Sequence, residues 1–406
     1  MIDNWFKENL DFKIIVPVVL LTLIGIIAVY SATYDAGASL YFNRHLLWAG
    51  IGIIVMIILV FVPFRSLQLI SYPLYGFSIL LLVAVLGAGK IIAGSRSWFG
   101  IGGYGFQPSE FVKITTVLAL AAYLSDPQVQ IEKLKHLAVI FGLVLLPVFL
   151  ISLQPDVGTA IIYLCMLVII IYWAGASNFL MLSLIAPAAA AITSLFGTTP
   201  FLIVVGLTLL ILFLLRGNRF LSAIVFSGTV LLGVSVQFIF SKLAIHQQNR
   251  IISFLNPEAD PQGTGYNVIQ SQIAIGSGGI FGKGFLHGSQ TQLNFIPAQW
   301  TDFIYCVPSE EFGFLGAFTI LFLLTLLLIR GVQIASFVKN RYASLVAIGI
   351  VSALVTHIVI NIGMSMGIMP VIGVPLPFIS YGGSNLISNF IMAGLLLNVY
   401  ANRKEY

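Results

Sequence analysis

Residues 199–215 of the chain read TPFLIVVGLTLLILFLL, an apolar run without a single charge. Comparable runs recur along the 406 residues, of which 59% are hydrophobic and 8% are charged, and the mean hydropathy is +1.04. Soluble domains do not have this composition. The runs are continuous and do not alternate between polar and apolar residues, which disfavours a membrane β-barrel. The sequence therefore predicts an all-α, polytopic helical membrane protein.

A helix that crosses a bilayer needs roughly 20 apolar residues, and about twelve segments of the chain meet this requirement. Short loops rich in Gly, Pro and Ser separate most of them. With both termini in the cytoplasm, most of the 19 Lys and Arg residues fall on the cytoplasmic side, as the positive-inside rule expects. We predict one membrane-embedded domain over residues 1–406, with spans that begin near Ile14, Leu46, Leu67, Pro108, His136, Val157, Asn178, Thr199, Phe220, Phe314, Ser344 and Gly382.

The net charge of +5 does not indicate a nucleic-acid partner, because topology explains where the basic residues lie. Two cysteines, Cys165 and Cys306, do not form a disulfide framework. His246, His287 and His357 lack the spacing of metal ligands.

One long stretch, residues 241–312, interrupts the apolar spans and falls on the extracytoplasmic side in this topology. A mere connection between two helices does not need this length. Its apolar patches, Ile251–Leu255 and Phe303–Val307, predict that it partly folds back into the bilayer. Non-helical backbone is tolerated at that depth only where it lines a cavity or is buried in protein. We therefore expect this loop to build the active site.

The same loop carries the residues by which the chain resembles the SEDS family (shape, elongation, division and sporulation proteins). The resemblance covers nearly the whole chain except residues 178–215, which we predict to be an extra transmembrane hairpin because members of the family usually have ten spans. The matching residues in the loop are Arg250-Ile251, Asn256-Pro257 through Asp260-Pro261, Gly263 to Tyr266, Gln270 to Gly279, Gly282-Lys283-Gly284, Gln290, Thr301 to Ile304 and Glu310 to Gly313.

The resemblance implies a peptidoglycan glycosyltransferase that polymerises lipid II during cell-wall elongation and so shapes the cell. It implies an enzyme of the inner (cytoplasmic) membrane. It also implies a class B penicillin-binding protein, a transpeptidase, as partner, together with other proteins of the elongation complex. Two alternatives stay open. The many spans and broken helices also fit a lipid II flippase, and a noncatalytic scaffold for wall-synthesis enzymes would need no chemistry at all.

Asp302 is the candidate catalytic residue. Glycan polymerisation needs a base, because the acceptor hydroxyl must lose a proton as it attacks the anomeric carbon of the donor. Asp302 lies at the boundary between a Gly/Pro-rich segment and the apolar Phe303–Val307, where partial loss of water raises a carboxyl pKa into the useful range. The alternative is a solvated acid or a helix cap. The essential Asp of the family falls on Asp302, although the preceding Ala298 and Trp300 depart from the family's pattern.

Several residues in other family-like motifs are candidate substrate contacts, and each has a structural alternative. Glu110 and Lys113 are three residues apart, so they can pair on one helix face. Trp98 follows a Gly/basic stretch and could instead be an interfacial anchor. Asp156, in Gln154-Pro155-Asp156, could instead cap the next helix. The matched motifs add Gln272, Gln290, Thr301 and Ser380, the last within Pro375–Gly383, which opens the final span.

The pyrophosphate of the donor needs a cation rather than a proton donor. Arg44, Arg96, Arg250 and Lys283 compete for this role, since each falls on the extracytoplasmic side. A divalent cation (Mg²⁺ or Mn²⁺) would suit two phosphates, but the sequence contains no ligand cluster for it. Glu310 and Glu311 are expected either to complement the N-terminus of the next span or to orient the Asp302 region.

Overall fold

The computed structural model describes residues 9–34, 37, 39–92, 95–101, 104–215, 218–242 and 265–403. Arg250 and the motif residues 256–264 lie outside these residues. The described part contains fifteen helices: α1 Phe12–Tyr34, α2 Ser39–Val60, α3 Phe64–Ala88, α4 Pro108–Leu124, α5 Leu134–Ser152, α6 Val157–Trp173, α7 Asn178–Leu195, α8 Thr198–Leu215, α9 Arg219–Lys242, α10 Tyr266–Ser277, α11 Ser289–Gln292, α12 Cys306–Glu311, α13 Gly313–Phe337, α14 Arg341–Ser365 and α15 Gly383–Ala401.

Each of the twelve predicted spans corresponds to a long helix, which confirms the all-α membrane fold. Ten of these helices are long and apolar enough to cross a membrane, whereas α4 and α6 have 17 residues each. The predicted start of the second span near Leu46 was wrong, because α2 begins at Ser39. Arg44 is therefore part of the helix and not of the preceding loop. That residues 178–215 are an addition to a ten-span plan stays a prediction.

The chain divides into two compact units. One contains residues 1–130, 134–170 and 267–406, and the other contains residues 131–133 and 171–266. In the larger unit α14 and α15 are central, since 83% and 78% of the residues in their apolar 18-residue stretches are buried. In the smaller unit α8 packs on α7, and α9 contacts both. Only 11% of the corresponding stretch of α9 is buried, as expected of a helix that faces lipid.

A small antiparallel sheet lies between α3 and α4, where the sequence analysis predicted only a loop. Its strands are β1 Lys90–Ile92, β2 Ser95–Ile101 and β3 Tyr104–Phe106, in the order β1-β2-β3. Lys90 is opposite Trp98, and Phe99 is opposite Phe106. Aromatic residues favour such pleated pairs, and the surrounding glycines allow tight turns between short strands.

The 241–312 loop ends in a compact structure that is buried in protein. Phe303 and Cys306 are buried with Ala274 of α10 and Ile296. The Ser271 hydroxyl of α10 donates to the main-chain oxygen of Ser365 at 2.6 Å, which fixes α10 to the end of α14. The apolar Phe303–Val307 patch is therefore covered by other parts of the chain. That the loop partly folds back into the bilayer stays a prediction.

Candidate functional site around Asp302

Three consecutive peptide carbonyls, those of Trp300, Thr301 and Asp302, hold the candidate catalytic residue in place. We call residues 300–302 the Asp302 segment and the residues between α14 and α15 the 366–382 loop. The Tyr381 N–H donates to the Trp300 carbonyl at 2.9 Å, and the Ser380 hydroxyl donates to the Thr301 carbonyl at 2.7 Å. The Asn361 side-chain amide donates to the Asp302 carbonyl at 2.8 Å. Two of the donors belong to the 366–382 loop and the third to α14. The backbone at Asp302 is thereby fixed on its carbonyl side.

The N–H side of the segment is fixed by Ala298. Its main-chain oxygen accepts hydrogen bonds from the N–H groups of Thr301, Asp302 and Phe303 at 3.1, 3.2 and 3.4 Å. Ala298 has a φ of 54°, in the left-handed region that residues with a Cβ rarely adopt. Such a conformation persists only where surrounding contacts determine it. Ala298, at which the sequence departs from the family, thus acts through its backbone.

The Asp302 carboxyl is partly exposed and carries a perturbed pKa. The pKa of Asp302 is raised from 3.8 to about 6, mainly by burial; a hydrogen bond from Thr301 acts to lower the pKa, and the nearby charge of Asp156 adds to the increase. The 366–382 loop also approaches the carboxyl, because a Cβ added at Gly373 would lie 3.5 Å from Asp302 Oδ2. A group with this pKa is about half ionised at pH 6 and can accept a proton near neutral pH.

Asp156 caps α6, as one of the two sequence interpretations predicted. Its carboxylate accepts hydrogen bonds from the N–H of Thr159 at 3.1 Å and from the Thr159 hydroxyl at 2.9 Å. The Gln107 side-chain amide donates to it at 3.1 Å. Burial nevertheless raises the pKa of Asp156, and the neighbouring charge of Glu110 contributes to the increase. Asp156 therefore combines a capping role with a position close to both Glu110 and Asp302.

Glu110 and Lys113 form the predicted ion pair, with 3.0 Å between Lys113 Nζ and Glu110 Oε2. Both residues are buried, and further polar side chains surround them. Lys113 Nζ lies 2.7 Å from His357 Nε2, and His357 Nδ1 lies 3.2 Å from the Pro375 carbonyl oxygen. We call Glu110, Lys113, His357, Asn385 and Ser388 the Glu110 cluster, since Asn385 and Ser388 also donate to Glu110 Oε2.

The four candidate cations have different surroundings. Arg44 forms a hydrogen bond with Tyr381, which in turn contacts the Asp302 segment through its N–H. Arg96 donates to the Leu86 carbonyl near the end of α3 at 3.3 Å. Lys283 forms an ion pair with Glu310 at 2.7 Å. Arg250 lies outside the described residues. Arg44 is thus the described candidate that contacts a neighbour of the Asp302 segment.

The remaining predicted contacts are spread over the sheet and the loop. Trp98 packs across β3, since a Cβ added at Gly105 would lie 2.8 Å from its ring. The Gln272 side-chain amide donates to the Met366 carbonyl at 3.0 Å, at the start of the 366–382 loop. The Gln290 N–H donates to Glu310 at 3.0 Å. Thr301 and Ser380 lie next to Asp302, whereas Trp98, Gln272 and Gln290 are held by contacts elsewhere.

Glu310 and Glu311 organise the loop, whereas the N–H groups of Phe314 and Leu315, at the start of the next span, donate to the carbonyls of Gly279 and Ile280. Burial acts to raise the pKa of Glu310, but hydrogen bonds from the Gln290 N–H, Lys283 and the Thr291 N–H outweigh it and lower the pKa. These two N–H groups lie in α11, so Glu310 complements a different helix from the one predicted. Glu311 accepts hydrogen bonds from Ser31 of α1 and from the Leu286 N–H.

Replacing Glu310 with Gln is expected to loosen residues 283–292 without unfolding the helices. The variant loses the Lys283 ion pair and weakens the charge-assisted hydrogen bonds at α11, which are roughly twice as strong as neutral ones. Amide hydrogen exchange in residues 283–292 should rise at least about tenfold, the factor that corresponds to about 1.4 kcal/mol of lost local stability. Glu132→Gln, at an exposed acid, is the control. Unchanged exchange in Glu310→Gln would contradict this structural role.

Sequence reasoning did not propose Asn361, His357, Gln107 or Tyr381 as site residues, although Tyr381 lies in the matched Pro375–Gly383 motif and Gln107 lies directly before the span of Glu110. One signal pointed to the first two: His357 and Asn361 are four residues apart, so they share one face of an otherwise apolar span. Polar side chains inside a membrane helix usually face a partner or a cavity. Within the described residues, no group of three or more His, Cys, Asp and Glu side chains could hold a metal ion. A role for Mg²⁺ or Mn²⁺ stays a prediction from the chemistry of the two phosphates.

Comparison with known proteins identifies the family. The profile of the cell cycle protein family of FtsW, RodA and SpoVE matches residues 12–202 and 196–405. The chain is 34% identical to the peptidoglycan glycosyltransferase RodA of Treponema pallidum, and the alignment covers 98% of each chain. It is 36% identical to the stage V sporulation protein E of Bacillus subtilis over 97% of each chain. It is 32% identical to the Escherichia coli K12 peptidoglycan glycosyltransferase MrdB, over 98% of this chain and 96% of that protein.

Solved structures agree with this assignment. A chain from a peptidoglycan synthase complex that coordinates polymerization and crosslinking superposes with a TM-score of 0.75 and 29% identity, over 98% of this chain and 99% of that one. The crystal structure of the rod shape determining protein RodA of Thermus thermophilus gives a TM-score of 0.65 and 27% identity, over 97% and 98%. Sequence and fold match over almost the full length of both chains. The chain therefore belongs to the FtsW/RodA/SpoVE family of cell cycle proteins.

Proposed function

We propose that this chain, a membrane-embedded peptidoglycan glycosyltransferase of its family, polymerises lipid II with Asp302 as the general base. The observation that carries the proposal is the Asp302 carboxyl itself. It is partly exposed, its backbone is fixed from both sides, and burial raises its pKa to about 6. A solvated loop acid would have neither this fixed backbone nor this pKa. The relatives RodA and MrdB both carry the name peptidoglycan glycosyltransferase.

In the proposed reaction Asp302 accepts the proton of the acceptor sugar hydroxyl as that oxygen attacks the anomeric carbon of the donor. A new glycosidic C–O bond forms, and the bond from the anomeric carbon to the pyrophosphate oxygen breaks. Undecaprenyl pyrophosphate leaves with the bonding electron pair, so its departure requires a cation rather than a proton donor. General base catalysis of this kind contributes about 10²–10⁴-fold to the rate.

Arg44 is the first candidate for the cation that neutralises the pyrophosphate. Its hydrogen bond to Tyr381 ties it to the residue whose N–H binds the Asp302 segment. Lys283 is a weaker candidate because Glu310 already compensates its charge. Trp98, Gln272 and Gln290 remain proposed contacts for the sugar or lipid at the periphery. Arg96 and Arg250 remain alternatives to Arg44.

We place the chain in the cytoplasmic membrane, with both termini inside and the Asp302 site on the extracytoplasmic face. Two contacts at the helix ends away from Asp302 support the placement of the site on one side of the membrane. Asp11 at the start of α1 pairs with Arg330 in the last part of α13. Asn398 near the end of α15 donates to main-chain oxygens at the end of α2, including that of Leu59 at 2.7 Å. The two ends of the bundle thus have separate sets of contacts.

The proposed partner is a class B penicillin-binding protein that cross-links the new strand, with other elongation-complex proteins around it. Support comes from the structural neighbour, which belongs to a synthase complex that coordinates polymerization and crosslinking. Division or sporulation is the competing cellular role, because the relatives also include a sporulation protein and proteins named FtsW.

The experiment that tests this function adds fluorescent lipid II to the purified chain in vesicles, with and without a class B penicillin-binding protein. A ladder of glycan strands on a gel is the expected result. A flippase would give no ladder but would move the fluorescent lipid between leaflets, which a membrane-impermeant quencher detects. A scaffold would do neither. Either of these last two outcomes would overturn the proposal.

The rate of polymerisation is expected to fall as the pH decreases through about 6. The base must be ionised to accept a proton, and burial raises the pKa of Asp302 from 3.8 to about 6. Below that pKa, kcat/KM should decrease about tenfold per pH unit. Initial rates at subsaturating lipid II between pH 4.5 and about 8 measure this acidic limb of the pH–rate profile. Intrinsic fluorescence is the control for unfolding. A limb near pH 4 would indicate a solvated acid instead.

A further inference from the structure

The fully buried Asn361 of α14 joins the candidate base to the loop beside it. Its side-chain Nδ2 donates both of its protons, one to the Asp302 carbonyl oxygen at 2.8 Å and one to the Val374 carbonyl oxygen at 2.7 Å. The Ser380 hydroxyl and the Tyr381 N–H also join this loop to the segment, at the carbonyls of Thr301 and Trp300. Asn361 is the donor that reaches the carbonyl of Asp302 itself. A buried peptide carbonyl that loses its donor is costly, so both acceptors depend on this amide.

The loop that Asn361 holds lies directly beside the Asp302 carboxyl. Gly373, which precedes Val374, is exposed and has a φ of 69°. A Cβ added there would lie 3.5 Å from Asp302 Oδ2. The exposed backbone at Gly373 is therefore one wall of the space from which a substrate hydroxyl can reach the carboxylate. A shift of Val374 relative to Asp302 would change that space.

A second side chain of α14 acts on the next carbonyl of the same loop. His357, one helical turn before Asn361, lies 3.2 Å from the Pro375 carbonyl oxygen through Nδ1. The two side chains share one face of α14 because residues four apart are neighbours on a helix. They hold consecutive carbonyls, Val374 and Pro375. Asn361 differs from His357 in that it also binds the Asp302 segment.

We propose that Asn361 is a positioning residue that sets the distance between the Asp302 carboxylate and the 373–374 wall where the acceptor sugar approaches. The inference rests on the proposed function of Asp302 as the base. Asn361 is not itself a catalytic residue, since its contacts are with main-chain oxygens. It acts through Asp302, and misplacement of a catalytic group by about 1 Å can cost roughly 10²-fold in rate.

The test compares Asn361→Leu with Asn398→Leu. Asn398 is a matched control: it is also buried and also donates to main-chain oxygens, but at the other end of the bundle. Asn361→Leu should lower kcat about 10²-fold while KM for lipid II changes less than about twofold. Asn398→Leu should lower the unfolding temperature but leave kcat within about threefold. A loss of kcat that is equal in the two variants would overturn the proposal.

A double variant separates positioning from general damage. In the Asp302→Asn background there is no base left to position, so Asn361→Leu should not reduce the residual rate further. An additional reduction of about 10²-fold in that background would show that Asn361 acts independently of Asp302, and the inference would fail.

A measurement that does not require polymerisation separates this inference from the proposed function. Carbodiimides modify protonated carboxyl groups, and peptide mass spectrometry reports the fraction modified at Asp302 as a function of pH. Asp156 is the charged neighbour of Asp302 in both wild type and Asn361→Leu, so a change in the labelling midpoint reports on the position of Asp302. Asn361→Leu should let water reach Asp302 and lower its labelling midpoint by about one pH unit. If wild type makes no polymer but this shift occurs, only the proposed function fails; an unchanged midpoint overturns the positioning role.

Discussion

Replacement of Asp302 by asparagine is expected to reduce glycan polymerisation about 10²–10⁴-fold. The amide has nearly the shape of the carboxylate, but it cannot accept the proton of the acceptor hydroxyl. The fold should survive, because the bonds that fix the segment use the main chain of Asp302 and not its carboxylate. Binding of lipid II should therefore change far less than turnover. Polymer on a gel and lipid II binding, measured on the same preparations, distinguish these effects.

Asp126→Asn is the matched control for this variant. Asp126 is an exposed carboxylate in the loop after α4, and its Oδ1 accepts the Gln128 N–H at 2.8 Å. The control should polymerise at the rate of wild type. Equal rates in wild type and Asp302→Asn would remove Asp302 as the base. Loss of polymer together with loss of binding would assign it to substrate recognition instead.

The stability of Asp302→Asn provides an independent check on the carboxyl's surroundings. A pKa raised from 3.8 to about 6 means that ionisation of Asp302 disfavours the folded state. This penalty is complete above pH 6, decreases between pH 6 and about 4, and is absent below. The asparagine variant should thus be more stable than wild type at pH 8, by about 1–3 kcal/mol, and equal to it near pH 3.5.

The parts of the structure that depend on local sequence were predictable. The continuous apolar runs predicted the long helices. Spacing on a helix predicted the Glu110–Lys113 pair, and a polar residue before an apolar run predicted the Asp156 cap. The last two features involve residues three apart, so the sequence itself contains the geometry. The start of α2 was misplaced because the helix begins before the apolar run that marks the span, and Arg44 within it can still reach the membrane surface.

The contacts that build the site could not be predicted in the same way. Asn361 donates to Asp302, 59 residues earlier in the chain, and Lys113 meets His357 across 244 residues. Whether two such side chains meet depends on how the helices pack and not on their spacing. The sheet between α3 and α4 was missed for a related reason: strands of three residues give too short a pattern to recognise.

Replacement of Lys113 by methionine is expected to destabilise the fold by about 3–5 kcal/mol. Lys113 is completely buried and neutralises Glu110 at 3.0 Å. Methionine fills a similar space but leaves a buried carboxylate without a counter-charge. The Asn385 and Ser388 side chains still donate to Glu110 Oε2, but neutral donors do not compensate a full charge at this depth. The variant should unfold at a lower temperature or denaturant concentration than wild type.

The double variant Glu110→Gln/Lys113→Met tests whether the unpaired charge is the cause. It removes both ions, so it should be more stable than Lys113→Met alone, since the loss of both partners is often nearly neutral. Lys135→Met, at an exposed lysine in the first turn of α5, should behave as wild type. If the double variant were as unstable as the single one, lost packing or the broken Lys113–His357 contact would be responsible. In that case the 366–382 loop, which His357 holds through Pro375, should show faster hydrogen exchange in both variants.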